Sequence, residues 1–200
     1  MIETARRLGA ATLYEASGVD CSLDPGIRAV WVGALAAGPA YTVRCHAADN
    51  LPIHHALERV PQGAVLVVDC GGVLAGYWGD VLTTAAQERG VAGLVIDGGV
   101  RDVAQIRDLG FPVFSRGVSV RRTVKHSPGL LNVPLVIGGV CVAPGDLVVA
   151  DEDGVISLSA ASVAAVLERG EARERKEKGI VAELRAGRTT VEIYSLPARG

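Results

Sequence analysis

The stretch from Gly76 to Gly110 constrains the fold more than any other part of this chain. Gly76 and Gly79 bracket Tyr77 and Trp78. Asp80 then opens a run that places Val81, Leu82, Ala85 and Ala86 on one helical face, and Gly90 closes it. Leu94, Val95 and Ile96 follow as a short apolar run expected to form a central buried strand, ended by Asp97, Gly98 and Gly99. Val103, Ile106 and Leu109 recur at helical spacing after it. Loop, helix, buried strand, glycine turn and second helix in that order predict an α/β domain.

Arg101 and Asp102 leave the carboxyl end of the predicted strand, where open α/β sheets place their ligands. A guanidinium clamps a carboxylate through two parallel hydrogen bonds, and an adjacent carboxylate can hold a hard divalent cation. The helix start at Asp80 presents backbone N–H groups on which an anion can rest. The same residues admit a structural reading. Asp102 and Gln105 have the spacing of a capping box, Asp80 can serve as a plain N-cap, and Arg101 can be a solvated or salt-bridged arginine.

The remaining chain extends the α/β pattern. Thr4 to Ser17 is expected to be helical, Ala40 to Cys45 a strand, and Leu51 to Val60 a helix, with Asp49 and Asn50 capping it or approaching the site from a loop. Ala64 to Val68 reads as a central strand and Pro112 to Phe114 as another. Val133 to Val142 supplies one or two more around Gly138-Gly139. Leu147 to Ala150 and Val155 to Leu158 are expected to form a hairpin across Asp151-Glu152-Asp153-Gly154, which lacks the spacing of a calcium loop. From Ser159 to Arg185 mixed charges at helical spacing predict a long helix with a solvated face.

Composition narrows the function classes. A net charge of −2 gives no basic footprint for nucleic acid. With 49% hydrophobic but only 4% aromatic residues, part of the apolar surface is expected to lie between subunits. The longest uncharged run, Ala29 to Val43, contains glycine and proline and falls short of the roughly 20 residues that span a bilayer. Glu3, Arg6 and Arg7 precede no apolar leader segment, so no membrane association and a cytoplasmic location are expected. Cys21, Cys45, Cys70 and Cys141 form no C-x-x-C pair and are expected to be reduced thiols. His46, His54, His55 and His126 are expected to be structural or surface residues, since neighbours such as His54 and His55 point to different sides of a helix.

Gly79-Asp80-Val81-Leu82, followed by Arg101-Asp102 with twenty residues between Asp80 and Arg101, resembles a family of class II aldolases. These cleave 4-hydroxy-4-methyl-2-oxoglutarate and 4-carboxy-4-hydroxy-2-oxoadipate. The family also includes RraA-like proteins, some of which regulate ribonuclease E. The likeness runs from about Asp49 to Tyr194, through Gly63-Ala64-Val65-Leu66-Val67-Val68-Asp69 and the segment from Pro144-Gly145-Asp146 to Val155.

The resemblance implies a swivelling β/β/α sandwich with a mixed central sheet and a C-terminal helical arm. Residues 1–158 would form the catalytic α/β part and 159–200 an oligomerisation arm of a trimer or hexamer. By position, backbone amides of Gly79 to Leu82 would hold the pyruvyl carboxylate, Arg101 would bind substrate, and Asp102 would ligate magnesium or manganese. Asp80 would position a water or proton near the leaving enolate, and a glutamate of the arm, nearest to Glu177, would reach a neighbouring subunit's site. The implied activity releases pyruvate from a small 2-oxo diacid, with oxaloacetate decarboxylation through the same enolate. The alternative is a non-catalytic regulator that binds a ribonuclease or another protein.

Gln105 departs from the aldolase pattern, which places Glu or Asp after two residues following Asp102, and so removes a negative charge beside the implied metal. Retention of Asp102 favours the enzyme over the regulator. A menaquinone methyltransferase, an activity sometimes attached to this family, is disfavoured because no glycine-rich G-x-G motif follows a strand early in the chain.

Overall fold

Apolar runs punctuated by glycine fold here into one mixed sheet with helices against it, in a computed structural model that describes residues 1–197. In chain order the first half comprises α1 (Ile2–Ser17), β1 (Arg28–Ala29), β2 (Ala36–Arg44), α2 (Leu51–Leu57), β3 (Val65–Asp69), α3 (Asp80–Glu88), β4 (Gly93–Val100) and α4 (Val103–Asp108). There follow β5 (Val113–Val118), β6 (Leu130–Leu131), β7 (Leu135–Ile137), β8 (Val140–Val142), β9 (Leu147–Ala150), β10 (Val155–Leu158), α5 (Val163–Arg185) and α6 (Thr190–Ile193).

Strands β5, β4, β3 and β2 lie side by side and parallel. β1 adds to one edge and β9 then β10 to the other, all antiparallel. Such a mixed sheet buries its parallel strands on both faces, which is why Val65 to Val68 and Gly93 to Val100 carry almost no polar side chains. Alternation separates the two sides. Leu66, Val68, Leu94 and Ile96 pack with Ile53, Leu82 and Ile106 of the helices, while Val65, Val67 and Val95 pack with Phe114, Ile137 and Val142 near the β7–β8 hairpin. α1 and the first turns of α5 cover the β9–β10 end, where Leu8, Leu13, Val166 and Leu167 are buried.

Several expected boundaries move, each for a local reason. β2 starts at Ala36, because Ala36–Pro39 pairs with β9 before Ala40–Arg44 pairs with β3. α1 is kinked at Gly9, whose φ is +76°, and Asp151 of the hairpin turn accepts the Ala10 N–H at 2.7 Å to cap the second segment. α2 ends at Leu57, and the chain to Val60 continues as a turn. β4 does not stop at Asp97 but runs through Gly98 and Gly99 to Val100, with a register shift against β5. α3 buries Leu82, Thr83 and Ala86 and leaves Val81 75% exposed. Trp78 Nε1 donates to Thr83 Oγ1 at 2.7 Å, which rotates the helix away from the expected face. Cys21, Cys45 and Cys70 are buried, Cys141 is exposed, and all four are free thiols. Among the described residues no helix is long and apolar enough to cross a membrane.

Candidate active site

The extension of β4 creates the site. Trp78 bridges Val100 in parallel, Tyr77 N–H donates to Gly99 O at 3.0 Å, and Arg101 N–H donates to Trp78 O at 2.9 Å. This short ladder sets Gly79-Asp80 beside Arg101-Asp102. The twenty intervening residues form α3 and β4, a helix and a strand that return the chain to the edge it left.

At this edge Asp102 adopts a left-handed conformation, φ +58° and ψ +40°, at a cost of about 1 kcal/mol that aspartate tolerates better than most residues. Its side chain caps nothing in α4, so the capping box with Gln105 is not formed, and Gln105 is exposed on that helix. Asp102 Oδ2 instead accepts the Asp80 N–H at 3.3 Å and lies 3.5 Å from Arg101 Nε. Asp80 is the first helical residue rather than the N-cap, which is Gly79, and its Oδ1 accepts the Val81 N–H at 2.7 Å. A Cβ on Gly79 would collide with Asp102 Oδ2, so a side chain there would displace the Asp102 carboxylate from its present position.

A cavity of about 300 Å³ opens over these groups. Gly79, Asp80, Val81, Leu82, Arg101 and Asp102 all line it, together with Asn50, which the sequence allows to approach the site from a loop, and with His54 and Lys125, which it does not assign to the site. Asn50, the N-cap residue of α2, and His54, within that helix, are four residues apart. Asn50 donates from Nδ2 to Tyr77 O at 2.9 Å. Its Oδ1 and the Nε2 of His54 are buried and have no protein partner. Burial, then the charge of Lys125, then His55 hold the His54 pKa below its usual value, which favours a neutral imidazole. His54 thus faces the same cavity as Arg101 and Asp102. His55 does turn to the other side, with Nδ1 3.8 Å from Glu58.

The sequence profile of the RraA-like family, described as Aldolase/RraA, matches residues 10–157. This chain belongs to the RraA-like family. A relative from Halalkalibacterium halodurans, named "Putative 4-hydroxy-4-methyl-2-oxoglutarate aldolase", is 37% identical over 157 residues, 74% of this chain and 75% of that protein. An uncharacterized protein from Pseudomonas syringae pv. tomato has the same fold with a TM-score of 0.83 at 32% identity, over 94% of this chain and 89% of that one. A Streptomyces coelicolor structure described as an unusual member of the RNase ES inhibitor RraA protein family gives a TM-score of 0.79 at 30% identity, over 88% and 93% of the two chains.

In this RraA-like protein Lys125 reaches the cavity from a strap pinned by a buried carboxylate. Asp49, 3% exposed, accepts the N–H groups of Leu51 at 3.0 Å, His126 at 3.1 Å and Ser127 at 2.7 Å. Val124 N–H donates to Ala48 O and Asn50 N–H to Val124 O, which stitches the strap to the start of α2. The Tyr77 hydroxyl accepts the Ala48 N–H at 2.6 Å, and burial, then Cys70, push its pKa up to about 12.

Burial alone would raise the Asp49 pKa, but its three amide donors and nearby His126 outweigh that and hold it below the ordinary carboxylate range. Because the folded value is depressed, Asp49 contributes stability that is complete above the unfolded-state carboxylate pKa and is lost as pH falls through the folded one. Asp49→Asn is expected to destabilise the fold by about 2 kcal/mol at pH 7 and to flatten this part of the acid transition. Urea melts at pH 7 and in the acid range check both effects, and wild-type stability at pH 7 would contradict the assignment.

Glu177 does not line the cavity of its own chain. It lies on α5 and pairs with Arg173 at 2.8 Å. Among the described residues no three His, Cys, Asp or Glu side chains gather as a closed metal cage. The donor set suits a different mode. Asp102, with Asp80 beside it, offers carboxylate oxygen in an open cavity, which fits a magnesium-like ion that keeps waters and shares substrate oxygens.

Proposed function

We propose that this RraA-like protein is a divalent-metal-dependent aldolase that cleaves 4-hydroxy-4-methyl-2-oxoglutarate or a related 2-oxo diacid to pyruvate. The observation that carries this reading is the convergence of Arg101, Asp102, the first turn of α3 and Lys125 on one cavity. That set offers a cation at each end of a dicarboxylate and a carboxylate between them for the metal.

Arg101 and the amides of Gly79 to Leu82 bind the pyruvyl carboxylate, with the substrate taking over amides that Asp80 and Asp102 now occupy. Lys125, which makes no ion pair among the described residues, binds the distal carboxylate. Magnesium or manganese held by Asp102 would supply Lewis-acid stabilisation of developing enolate charge. When the C3–C4 bond breaks, its electron pair forms the C2–C3 double bond as the keto π pair moves onto the pyruvyl oxygen, and Arg101 stabilises the charge that forms there. Asp80 holds a water or proton beside the leaving enolate. Oxaloacetate loses carbon dioxide through the same enolate and is a second substrate of this reading. In a homotrimer or homohexamer, Glu177 of a neighbouring copy would complete the site.

The likeness to the Streptomyces coelicolor RNase ES inhibitor relative favours one second reading, a non-catalytic regulator that binds a ribonuclease. Pyruvate release from 4-hydroxy-4-methyl-2-oxoglutarate and from oxaloacetate, with magnesium and with a chelator, separates the two. Magnesium-dependent release is expected. No release from either acid by folded protein, together with co-purification of a ribonuclease, would establish the regulator.

A further inference from the structure

We propose that Asn50 and His54 form the subsite for the hydroxyl-bearing carbon of the substrate, and that this subsite selects hydroxylated 2-oxo diacids over plain ones. The inference rests on the aldolase reading and deepens it. Its starting point is a mismatch in hydrogen bonding. Asn50 is 95% buried by its 5% exposure, and the bond from its Nδ2 to Tyr77 O fixes the amide so that Oδ1 is an acceptor without a donor. His54 Nε2, one helical turn along, is buried and equally unpartnered. Both residues line the cavity that contains Arg101 and Asp102.

A buried acceptor left unpaired is costly, so a ligand that supplies a donor gains what the protein alone forgoes. At neutral pH a 4-hydroxy-2-oxo diacid has two ionised carboxylates and a ketone, all acceptors. Its hydroxyl is the only donor. The carboxylates match Arg101 and Lys125, and the single hydroxyl proton matches one unpaired acceptor, His54 Nε2, beside Asn50. Oxaloacetate carries no such donor on its saturated carbon and leaves that acceptor unmet. Sites built to bond a hydroxyl reject analogues that lack it far more strongly than apolar pockets discriminate by size.

The same pairing supplies the proton transfer that carbon–carbon cleavage needs. His54, in the tautomer protonated on Nδ1, accepts the hydroxyl proton at Nε2. The O–H electron pair becomes the new C4 carbonyl bond, the C3–C4 pair becomes the C2–C3 double bond of the enolate as the keto π pair moves onto the pyruvyl oxygen, and the imidazolium returns its proton to C3. The products are pyruvate and a second carbonyl compound, and no co-reactant is consumed.

The test compares kcat/KM for 4-hydroxy-4-methyl-2-oxoglutarate cleavage and for oxaloacetate decarboxylation in wild type, His54→Phe and His54→Gln, each shown to be folded by its melting curve. Loss of a general base is expected to lower the ratio of cleavage to decarboxylation by about 100-fold or more, chiefly in kcat. His54→Gln, which keeps a polar side chain, serves the same comparison if His54→Phe does not fold. Equal losses on both substrates would overturn the subsite, as would full cleavage activity in either variant. A wild type active on oxaloacetate but on no hydroxylated diacid would also overturn it while leaving the enolate chemistry intact. A wild type inactive on both acids would instead contradict the aldolase reading itself.

Discussion

Asp102→Asn is expected to lower magnesium-dependent pyruvate release by about 10²–10³-fold in kcat/KM, the loss typical of removing one preorganised electrostatic group from an active site. Asparagine is the informative replacement. It shares aspartate's tolerance of the left-handed conformation that residue 102 adopts, so the backbone at the start of α4 is kept while the negative charge is removed. The melting temperature is expected to stay near that of wild type. Binding of manganese, followed by its electron paramagnetic resonance spectrum, is expected to weaken in parallel with activity. Undiminished activity and manganese affinity in the variant would remove Asp102 from the site.

The second large effect is structural. At Gly99 an added Cβ would lie 2.5 Å from Ala75 O, 3.0 Å from Ala75 N and 3.1 Å from Ser119 Cβ. Two of these contacts are backbone atoms of Ala75, held by the ladder that joins residues 75–78 to the end of β4. Gly99→Ala is therefore expected to destabilise the protein by about 3 kcal/mol and to pull Gly79-Asp80 away from Arg101-Asp102, so that stability and pyruvate release fall together. Urea unfolding measures the first and steady-state kinetics the second. A variant as stable and active as wild type would mean that this ladder does not hold the site.

Gly98 and Gly99 also show where the sequence misleads. A glycine pair after an apolar run reads as a turn, and only the crossing chain from Cys70 to Tyr77 reveals why glycine stands there. A Cβ at Gly98 would meet Cys70 Cβ at 2.9 Å, so the small residues make room for a neighbouring segment and the strand continues. What depends on local periodicity was legible: the buried runs of β3 and β4, the start of α3, the β9–β10 hairpin and the long charged helix α5. The placement of Arg101 and Asp102 after a buried strand was also legible, because a charge-free run followed by charged residues marks a strand end.

What depends on distant partners was not. Val81 was read onto the buried face of α3, yet the Trp78–Thr83 hydrogen bond sets that face differently. The Asp102–Gln105 spacing suggested a cap, but a residue with φ of +58° aims its side chain elsewhere. That His54 lies on one cavity with Arg101 and Lys125 was not legible, because those residues are remote from it in sequence. Its four-residue spacing from Asn50 was the available signal, and it has meaning only once the strap carrying Lys125 is seen to lie over the same cavity.

Whether this cavity makes and holds the enolate of pyruvate is tested most directly by exchange of the pyruvate methyl protons in deuterium oxide, followed by proton nuclear magnetic resonance. Exchange well above the solvent rate is expected with magnesium, abolished by a chelator and strongly reduced in Asp102→Asn. Exchange no faster than in buffer, from folded protein with magnesium present, would contradict the proposed enolate chemistry.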